Sequence, residues 1–403
     1  MTFFVRGARQ GELDQVLEQL ELSFREHRDL NFTPQLYHHP GVKPEHTRLG
    51  FQNEVLAASV QMFIKQVYIR GKKVPFAGIA NVGTLPEYRG RGFIEAVLKD
   101  AICYMRENEG VLLSGLYTGV HEVYRPHGFE NWPQKDVIIS LNQKPGLLKK
   151  YKVRPYENKD LSTIIKLYDS CNRNLTGPVV RNREYWTGQL KWMHRKDPIF
   201  QVLTDEKGSI KGYFRGGMNP IKTNAWVREI AGPNDDSLFW KEMAWAITST
   251  YNQMNYQGKL ALPGIFLNHP LTKAFKENNN TYTTRNNKGL MLNIIQLEGL
   301  LKLILEGAPV GPDSISLTIQ TPKGKATLES VKGRITVTHR EGKYLLNLPQ
   351  AAAVEWVLGR KLFSQLPAYY EEIQIQNIPE TWVKLLDELL PVVSWNYMYT
   401  DSY

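Results

Sequence analysis

With 403 residues the chain exceeds one ordinary hydrophobic core, so two or three domains are expected. A hydrophobic content of 42%, a charged content of 22% and 11% aromatics exclude the disordered classes, and two cysteines, Cys103 and Cys171, are too few for a disulfide framework or a four-ligand zinc site. The net charge of +10 is spread over scattered lysines and arginines rather than gathered into one stripe, which argues against a nucleic-acid partner and points to an anionic cofactor instead.

The start, Met1-Thr2-Phe3-Phe4-Val5-Arg6, lacks a signal-peptide core, and no apolar run approaches the roughly 20 residues that span a bilayer, so a cytoplasmic protein with no membrane partner is expected. After Gly11, Leu13, Val16, Leu17, Leu20 and Leu22 recur at largely helical spacing while Asp14, Glu18 and Glu21 take much of the other face. Strands follow: Thr47 to Phe51, a turn at Gln52-Asn53-Glu54, a long run from Val55 to Ile69, a turn at Arg70 to Lys73, and Val74 to Thr84. This meander runs into Arg89-Gly90-Arg91-Gly92, and an amphipathic helix from Phe93 to Met105 begins at once. The junction reads as strand, phosphate loop, helix. The first amides of a helix have no intrahelical partner and sit at the positive end of its dipole, and glycines just before them admit an anion. Arg89 and Arg91 add guanidinium forks suited to phosphate oxygens, although solvated turn arginines would look the same. A strand from Val111 to Tyr117 comes next, then the segment Glu122-Val123-Tyr124-Arg125-Pro126-His127-Gly128-Phe129.

The order helix, antiparallel strands, Arg-Gly-x-Gly loop, helix, strand and a tyrosine shortly before Gly-Phe resembles the GCN5-related N-acetyltransferase (GNAT) superfamily. The resemblance implies that Arg89, Gly90, Arg91, Gly92, Phe93 and Ile94 hold the diphosphate of acetyl-coenzyme A, and that the backbone of Val82, Gly83 and Thr84 pairs with its pantetheine arm. Ile94 departs from the family pattern, which has glycine or alanine at that place.

Beyond Lys149-Lys150 the sequence starts again. Val153-Arg154 with Leu161, Ile164 and Ile165 repeats Val5-Arg6 with Leu13, Val16 and Leu17, and strand-like runs at Ile199 to Thr204, Gly212 to Gly216 and Val227 to Ala231 lead to a helix from about Leu238 to Tyr251 and a strand Lys259 to Leu262. In place of a phosphate loop stands Pro233-Asn234-Asp235-Asp236, whose aspartates repel a diphosphate, so the second copy is expected to bind no cofactor. A third section has a helix at Gln296 to Leu305, short strands at Ser314 to Gln320, Lys325 to Glu329 and Arg334 to Thr338, helices at Ala351 to Leu358 and Thr381 to Leu390, and an aromatic end containing Trp395, Tyr397, Tyr399 and Tyr403.

This layout is similar to the enhanced intracellular survival (Eis) family. It implies an α+β chain of tandem GNAT-like mixed sheets flanked by helices (1–150 catalytic, 151–294 without a cofactor loop), followed by a sterol-carrier-like α/β domain (295–403) whose tail reaches the active site. It further implies acetyl transfer to a multi-amine acceptor such as an aminoglycoside or polyamine, with peptide lysines as the alternative, in a symmetric homo-oligomer such as a hexamer, using no metal. By the same resemblance Tyr124 protonates the departing sulfur, a backbone N–H near Val82 polarises the thioester, and the carboxylate of Tyr403 helps take the amine's proton. On residue chemistry alone, Tyr124 reads first as a packing tyrosine beside Phe129, His121 and His127 as surface or helix-end histidines, and Cys103 as a structural thiol on an apolar helix face. Glu18, Glu21, Glu26 and Asp29 read as a solvated face. A non-catalytic protein that binds an apolar ligand on this scaffold is the remaining alternative.

Overall fold

The computed structural model describes residues 3–26, 32–33, 36–37, 39–141, 146–193, 197–219, 221, 223–233, 235–265, 268–278, 280–310, 315–375, 378–395 and 401. In chain order the elements are β1 (Phe3–Gly7), α1 (Leu13–Ser23), β2 (Thr47–Gln52), β3 (Val55–Ile69), β4 (Lys72–Thr84), α2 (Phe93–Glu107), β5 (Leu113–Tyr117), β6 (Glu130–Asn131) and β7 (Gln134–Ser140). They continue with β8 (Lys152–Pro155), α3 (Leu161–Asn172), α4 (Arg183–Met193), β9 (Ile199–Thr204), β10 (Ile210–Met218), β11 (Ala225–Ala231), α5 (Ser237–Gln253), β12 (Lys259–Leu262), α6 (Pro270–Glu277), β13 (Tyr282–Asn287) and β14 (Leu290–Ile294). The last are α7 (Leu297–Leu305), β15 (Ser316–Thr321), β16 (Gly324–Val331), β17 (Arg334–Thr338), β18 (Tyr344–Asn347), α8 (Gln350–Val357) and α9 (Glu380–Leu389).

The described residues form two compact units, one from 3–132 with 289–395, the other from 133–288 with Asp401. In the first unit a seven-stranded sheet has the order β1-β2-β3-β4-β5-β14-β6; in the second the order is β8-β9-β10-β11-β12-β7-β13. Every neighbouring pair is antiparallel except β4 with β5 and β11 with β12, which are parallel. The two sheets are therefore copies of one plan, and the sixth position, between the fifth and seventh strands, is filled in each by a strand from the other stretch of sequence. The boundaries expected at 150 and 294 do not follow the sheets: β7 belongs to the second unit, and β14 to the first. Residues 295–395 likewise form one unit with the first section, through their four-stranded sheet β17-β16-β15-β18 and helices α7 to α9. Hydrophobic patterning reports which faces of a strand are buried but not which strand lies beside it.

The repeat extends to side-chain detail. Arg6 forks onto Glu12 at 2.7 and 2.8 Å and donates to Gly7 O, and Arg154 forks onto Asp160 at 2.6 and 2.9 Å and donates to Pro155 O. In both copies the carboxylate also accepts a backbone N–H three residues upstream, from Arg9 and from Glu157, which ties the first strand to the helix that follows.

Within the first unit, α2 covers one face of the sheet. Its Val97, Leu98, Ala101 and Met105, spaced by three and four, pack on Val60, Met62, Ala77 and Ile79, and each larger side chain buried there contributes roughly 1.5–3 kcal/mol. Cys103 is not on that face. It is exposed and bonded to Glu107 one turn on, which raises its thiol pKa. Helix α1 lies on the opposite face, where the sheet turns polar: Ser59 Oγ donates to Gln19 Oε1 at 2.6 Å and Gln19 Nε2 to Ser23 Oγ at 2.8 Å, all buried. Gly83 permits this approach, since a Cβ there would stand 3.0 Å from Leu20 Cδ2 and 3.2 Å from Ser23 Cβ.

Candidate acetyl-transfer site

Strands β4 and β5 run side by side only from Phe76↔Leu113 to Gly78↔Gly115. Beyond Gly78, β4 continues along β3 for six more residues while β5 stays with β14, so the edge of β4 facing β5 is left without a strand. Which amides face that edge follows from the ladder. Leu85 N–H donates to Ala57 O at 2.9 Å and Gly83 stands opposite Ser59, so alternation turns the N–H groups of Val82 and Thr84 the other way, into the gap. Between Ser59↔Gly83 and Gln61↔Ala80 the register slips: Val60 is opposed by both Asn81 and Val82, a β-bulge, and Asn81 adopts the left-handed φ of +50°.

The loop after β4 opens onto α2. Gly90 and Gly92 have φ of +72° and +79°, and a Cβ on either would meet nothing within 4 Å, so the loop is unobstructed at those positions. Gly92 is the N-cap of α2 and brings no capping side chain, so the first amides of the helix have no side-chain acceptor from the cap. Phe93 is buried edge-on against Tyr88 and Phe3, which anchors the first turn, and Ile94 packs at the margin of the α2 core. The larger side chain where the superfamily has a small one is thus accommodated by packing while the backbone amide stays on the helix end. The two arginines differ in posture. Arg91 stands over the Tyr88 ring at 5.5 Å and is exposed. Arg89 donates Nη2 to Ser23 O at 2.7 Å and Nε to Thr84 O at 3.4 Å, and so joins the loop to the end of α1.

The second unit shows what closes such a place. Strand β11 stops at Ala231, matching Ala80, and lacks the counterpart of Asn81 to Thr84. The Phe239 ring sits on Gly232, where a Cβ would be only 2.1 Å away. Helix α5 is capped by its own Asp236, whose Oδ1 accepts from Phe239 N at 2.8 Å while the carboxylate also binds Tyr151 Oη and Lys150. A carboxylate of the chain already holds the spot that an anion would need. In the first unit the equivalent spot has only glycine.

Tyr124 lies between two short 3-10 turns, His121–Val123 and Arg125–His127, just after β5. It is 7% exposed, its ring meets Phe129 edge-on at 6.2 Å, and its hydroxyl bonds with the Thr118 side chain. Burial pushes its pKa up to about 12, so at neutral pH the phenol keeps its proton and is a donor. Gly128, at φ +93°, ends the second turn, and Asn293 of β14 secures it by donating to His127 O at 3.0 Å. His127 is half-buried with its pKa lowered chiefly by burial; Glu122 is exposed. Glu18, Glu21 and Glu26 are exposed as expected, while Asp29, Tyr397, Tyr399 and Tyr403 lie outside the described residues. Trp395 is buried against Trp132 at 5.4 Å.

The sequence reading passed over Gln19, Ser23, Ser59, Gln61 and Asn81. Their signal was present: Ser59 and Gln61 are polar residues two apart in the mainly apolar first ten residues of the run that becomes β3. Among the described residues no group of His, Cys, Asp and Glu could hold a metal ion, and no helix is long and apolar enough to cross a membrane.

Residues 5–131 match the family model "Acetyltransferase (GNAT) domain", the segment that holds β1 to β6, the loop and Tyr124. No curated protein matches the chain. Among solved structures, a conserved protein of unknown function from Enterococcus faecalis V583, a probable N-acyltransferase, is 17% identical with a TM-score of 0.79 over 100% of both chains. A GCN5-related N-acetyltransferase from Anabaena variabilis ATCC 29413 is 20% identical with a TM-score of 0.76, again over 100% of both chains. Eis1 from Mycobacterium abscessus is 13% identical with a TM-score of 0.68 over 100% of both. At these identities the likeness is one of fold, and it extends over the full tandem arrangement. Residues 5–131 therefore carry an acetyltransferase (GNAT) domain, set within that fold.

Proposed function

We propose that the chain transfers an acetyl group directly from acetyl-coenzyme A to an amine of a multi-amine acceptor, aminoglycoside-like or polyamine, at the gap between β4 and β5. An acyl-coenzyme A is the donor that an acetyltransferase domain implies, and acetyl is the acyl group we assign. The observation that carries the reading is the contrast between units: the uncapped glycine end of α2 beside the open edge of β4, against the Asp236-capped end of α5. In this reading the amides of Arg91 to Ile94 bind the diphosphate, helped by the dipole of α2 and the Arg91 guanidinium. The open groups of Val82 and Thr84 bind the pantetheine arm as a further strand would.

The neutral amine adds to the thioester carbonyl carbon. A C–N bond forms, the carbonyl π pair moves onto oxygen, and the Val82 N–H holds that charge. On collapse the C–S bond breaks, its electron pair leaves on sulfur, and Tyr124 supplies the proton that makes the free thiol. The proton released by the amine, which restores the phenol through solvent, is taken up with help from the carboxylate of Tyr403. That last assignment, the sterol-carrier-like character of residues 295–403 and assembly into a symmetric oligomer rest on the family resemblance. The deciding experiment assays a panel of aminoglycosides, polyamines and lysine peptides for thiol release, with acetyl groups counted by mass. Multiple acetylation of a small multi-amine supports the assignment; turnover confined to lysine peptides overturns the acceptor class and leaves the transfer chemistry standing.

A further inference from the structure

Strand β3 is apolar at most of its buried positions, yet Ser59 and Gln61 are fully buried, two residues apart and so on the same face. Burying a glutamine is costly unless its hydrogen bonds are made. Gln61 Oε1 accepts from Asn81 Nδ2 at 2.6 Å. Asn81 is the residue at which β4 bulges, and its φ of +50° is one that asparagine tolerates but for which the backbone alone would favour glycine. A buried polar side chain on one strand and a left-handed asparagine on the next are thus joined at the one irregularity of β4. The residue that follows is Val82, whose N–H lies on the open edge.

We propose that Gln61 and Asn81 are positioning residues for acetyl transfer: the bond between their side chains locks the bulge of β4, and the locked bulge orients the Val82 N–H toward the thioester oxygen. The inference rests on the reading of that N–H as the oxyanion donor. A bulge without a fixed partner adopts more than one local geometry, and a donor that must reorganise as charge develops stabilises it less. Neither side chain needs to touch the substrate for this role. Ser59, Gln19 and Ser23 continue the polar strip to Ser23 O and Arg89, so the same face of the sheet also sets the loop that follows β4.

The test uses the full chain with Gln61→Met, Asn81→Gly and the double variant, and acetyl-coenzyme A labelled with carbon-13 at the carbonyl. Isotope-edited infrared spectra, taken without acceptor, read the carbonyl stretch, which a packing role alone would not move. In the unaltered enzyme the stretch lies below its value in free solution. In both single variants it returns toward the solution value, kcat falls roughly tenfold to a hundredfold with KM for acetyl-coenzyme A little changed, and the double variant is no worse than the poorer single one. Folded variants that keep the unaltered enzyme's stretch and kcat overturn the positioning role while leaving the oxyanion reading in place. A stretch in the unaltered enzyme equal to that in solution overturns the oxyanion reading and the proposal together. Should Gln61→Met melt early, Asn81→Gly decides alone, because glycine accepts the left-handed backbone.

Discussion

Replacing Tyr124 with phenylalanine separates chemistry from packing at a single atom. The ring stays in the core against Phe129, and what is lost is the hydroxyl and its bond with Thr118, whose own hydroxyl still accepts Val120 N–H at 3.0 Å. No cavity larger than an oxygen is made, so the stability cost is that of one hydrogen bond, about 1 kcal/mol. The catalytic cost is larger, since a positioned proton donor contributes ~10²–10⁴-fold, or about 3–5 kcal/mol of barrier. Steady-state kinetics should show kcat reduced by that factor at unchanged KM for acetyl-coenzyme A, and urea unfolding should show the midpoint scarcely moved. The pH profile has a defined sign. The phenol acts while protonated and its pKa lies near 12, so the rate of the unaltered enzyme rises as the amine deprotonates, and no fall from Tyr124 appears until the pH nears 12. A phenylalanine variant with kcat within twofold of the unaltered enzyme would refute the assignment.

Three further outcomes follow from packing and charge. Gly83→Val should destabilise the first unit by about 1–3 kcal/mol and weaken acetyl-coenzyme A binding, because even a Cβ meets Leu20 and Ser23 of α1 at 3.0 and 3.2 Å; thermal unfolding and a binding titration check it. In the second unit Asp401 is fully buried and accepts from Arg181 at 3.0 and 2.7 Å, from Tyr185 Oη at 2.9 Å and from Gln189 at 3.1 Å, while Arg181 also forks onto buried Glu229 at 2.9 Å. Asp401→Ala removes one of the carboxylates that neutralise buried Arg181, and should cost about 3–5 kcal/mol in urea unfolding. The Arg154 fork holds the Asp160 carboxyl below the usual carboxylate range, so its stabilisation is complete above the unfolded pKa and is lost as pH falls through the lower folded value. Arg154→Met should therefore flatten the acid limb of the stability curve below about pH 4 and leave the rest of its shape unchanged.

The sequence made the local elements of the site readable where one residue type forces one geometry. Both ends of β3 lie at the expected residues, Val55 and Ile69, because Asn53 and the pair Arg70-Gly71 take up left-handed turns that interrupt the apolar run. The start of α2 at Phe93 was equally legible from Gly90 and Gly92. Features defined by neighbours were not. The exchange of β7 and β14 between the two sheets leaves no trace in periodicity, and β13 has an exposed polar sequence, Tyr-Thr-Thr-Arg-Asn-Asn, that reads as a loop until it pairs with β7. Helix α4 was missed because its sequence mixes polar and aromatic residues without a plain stripe. Arg89 also joins the loop to α1 through two carbonyls, a tie that only the approach of α1 reveals. The Asp401 cluster joins positions more than 200 apart in sequence, beyond the reach of any local pattern.

The central claim is that one helix end per chain, that of α2, is left for a coenzyme A diphosphate, while the end of α5 is filled by Asp236. Isothermal titration of the chain with acetyl-coenzyme A tests it most directly. The account predicts one site per chain, lost on Gly92→Asp and retained on Asp236→Ala. Binding of two equivalents, or a single site that survives Gly92→Asp, would contradict it.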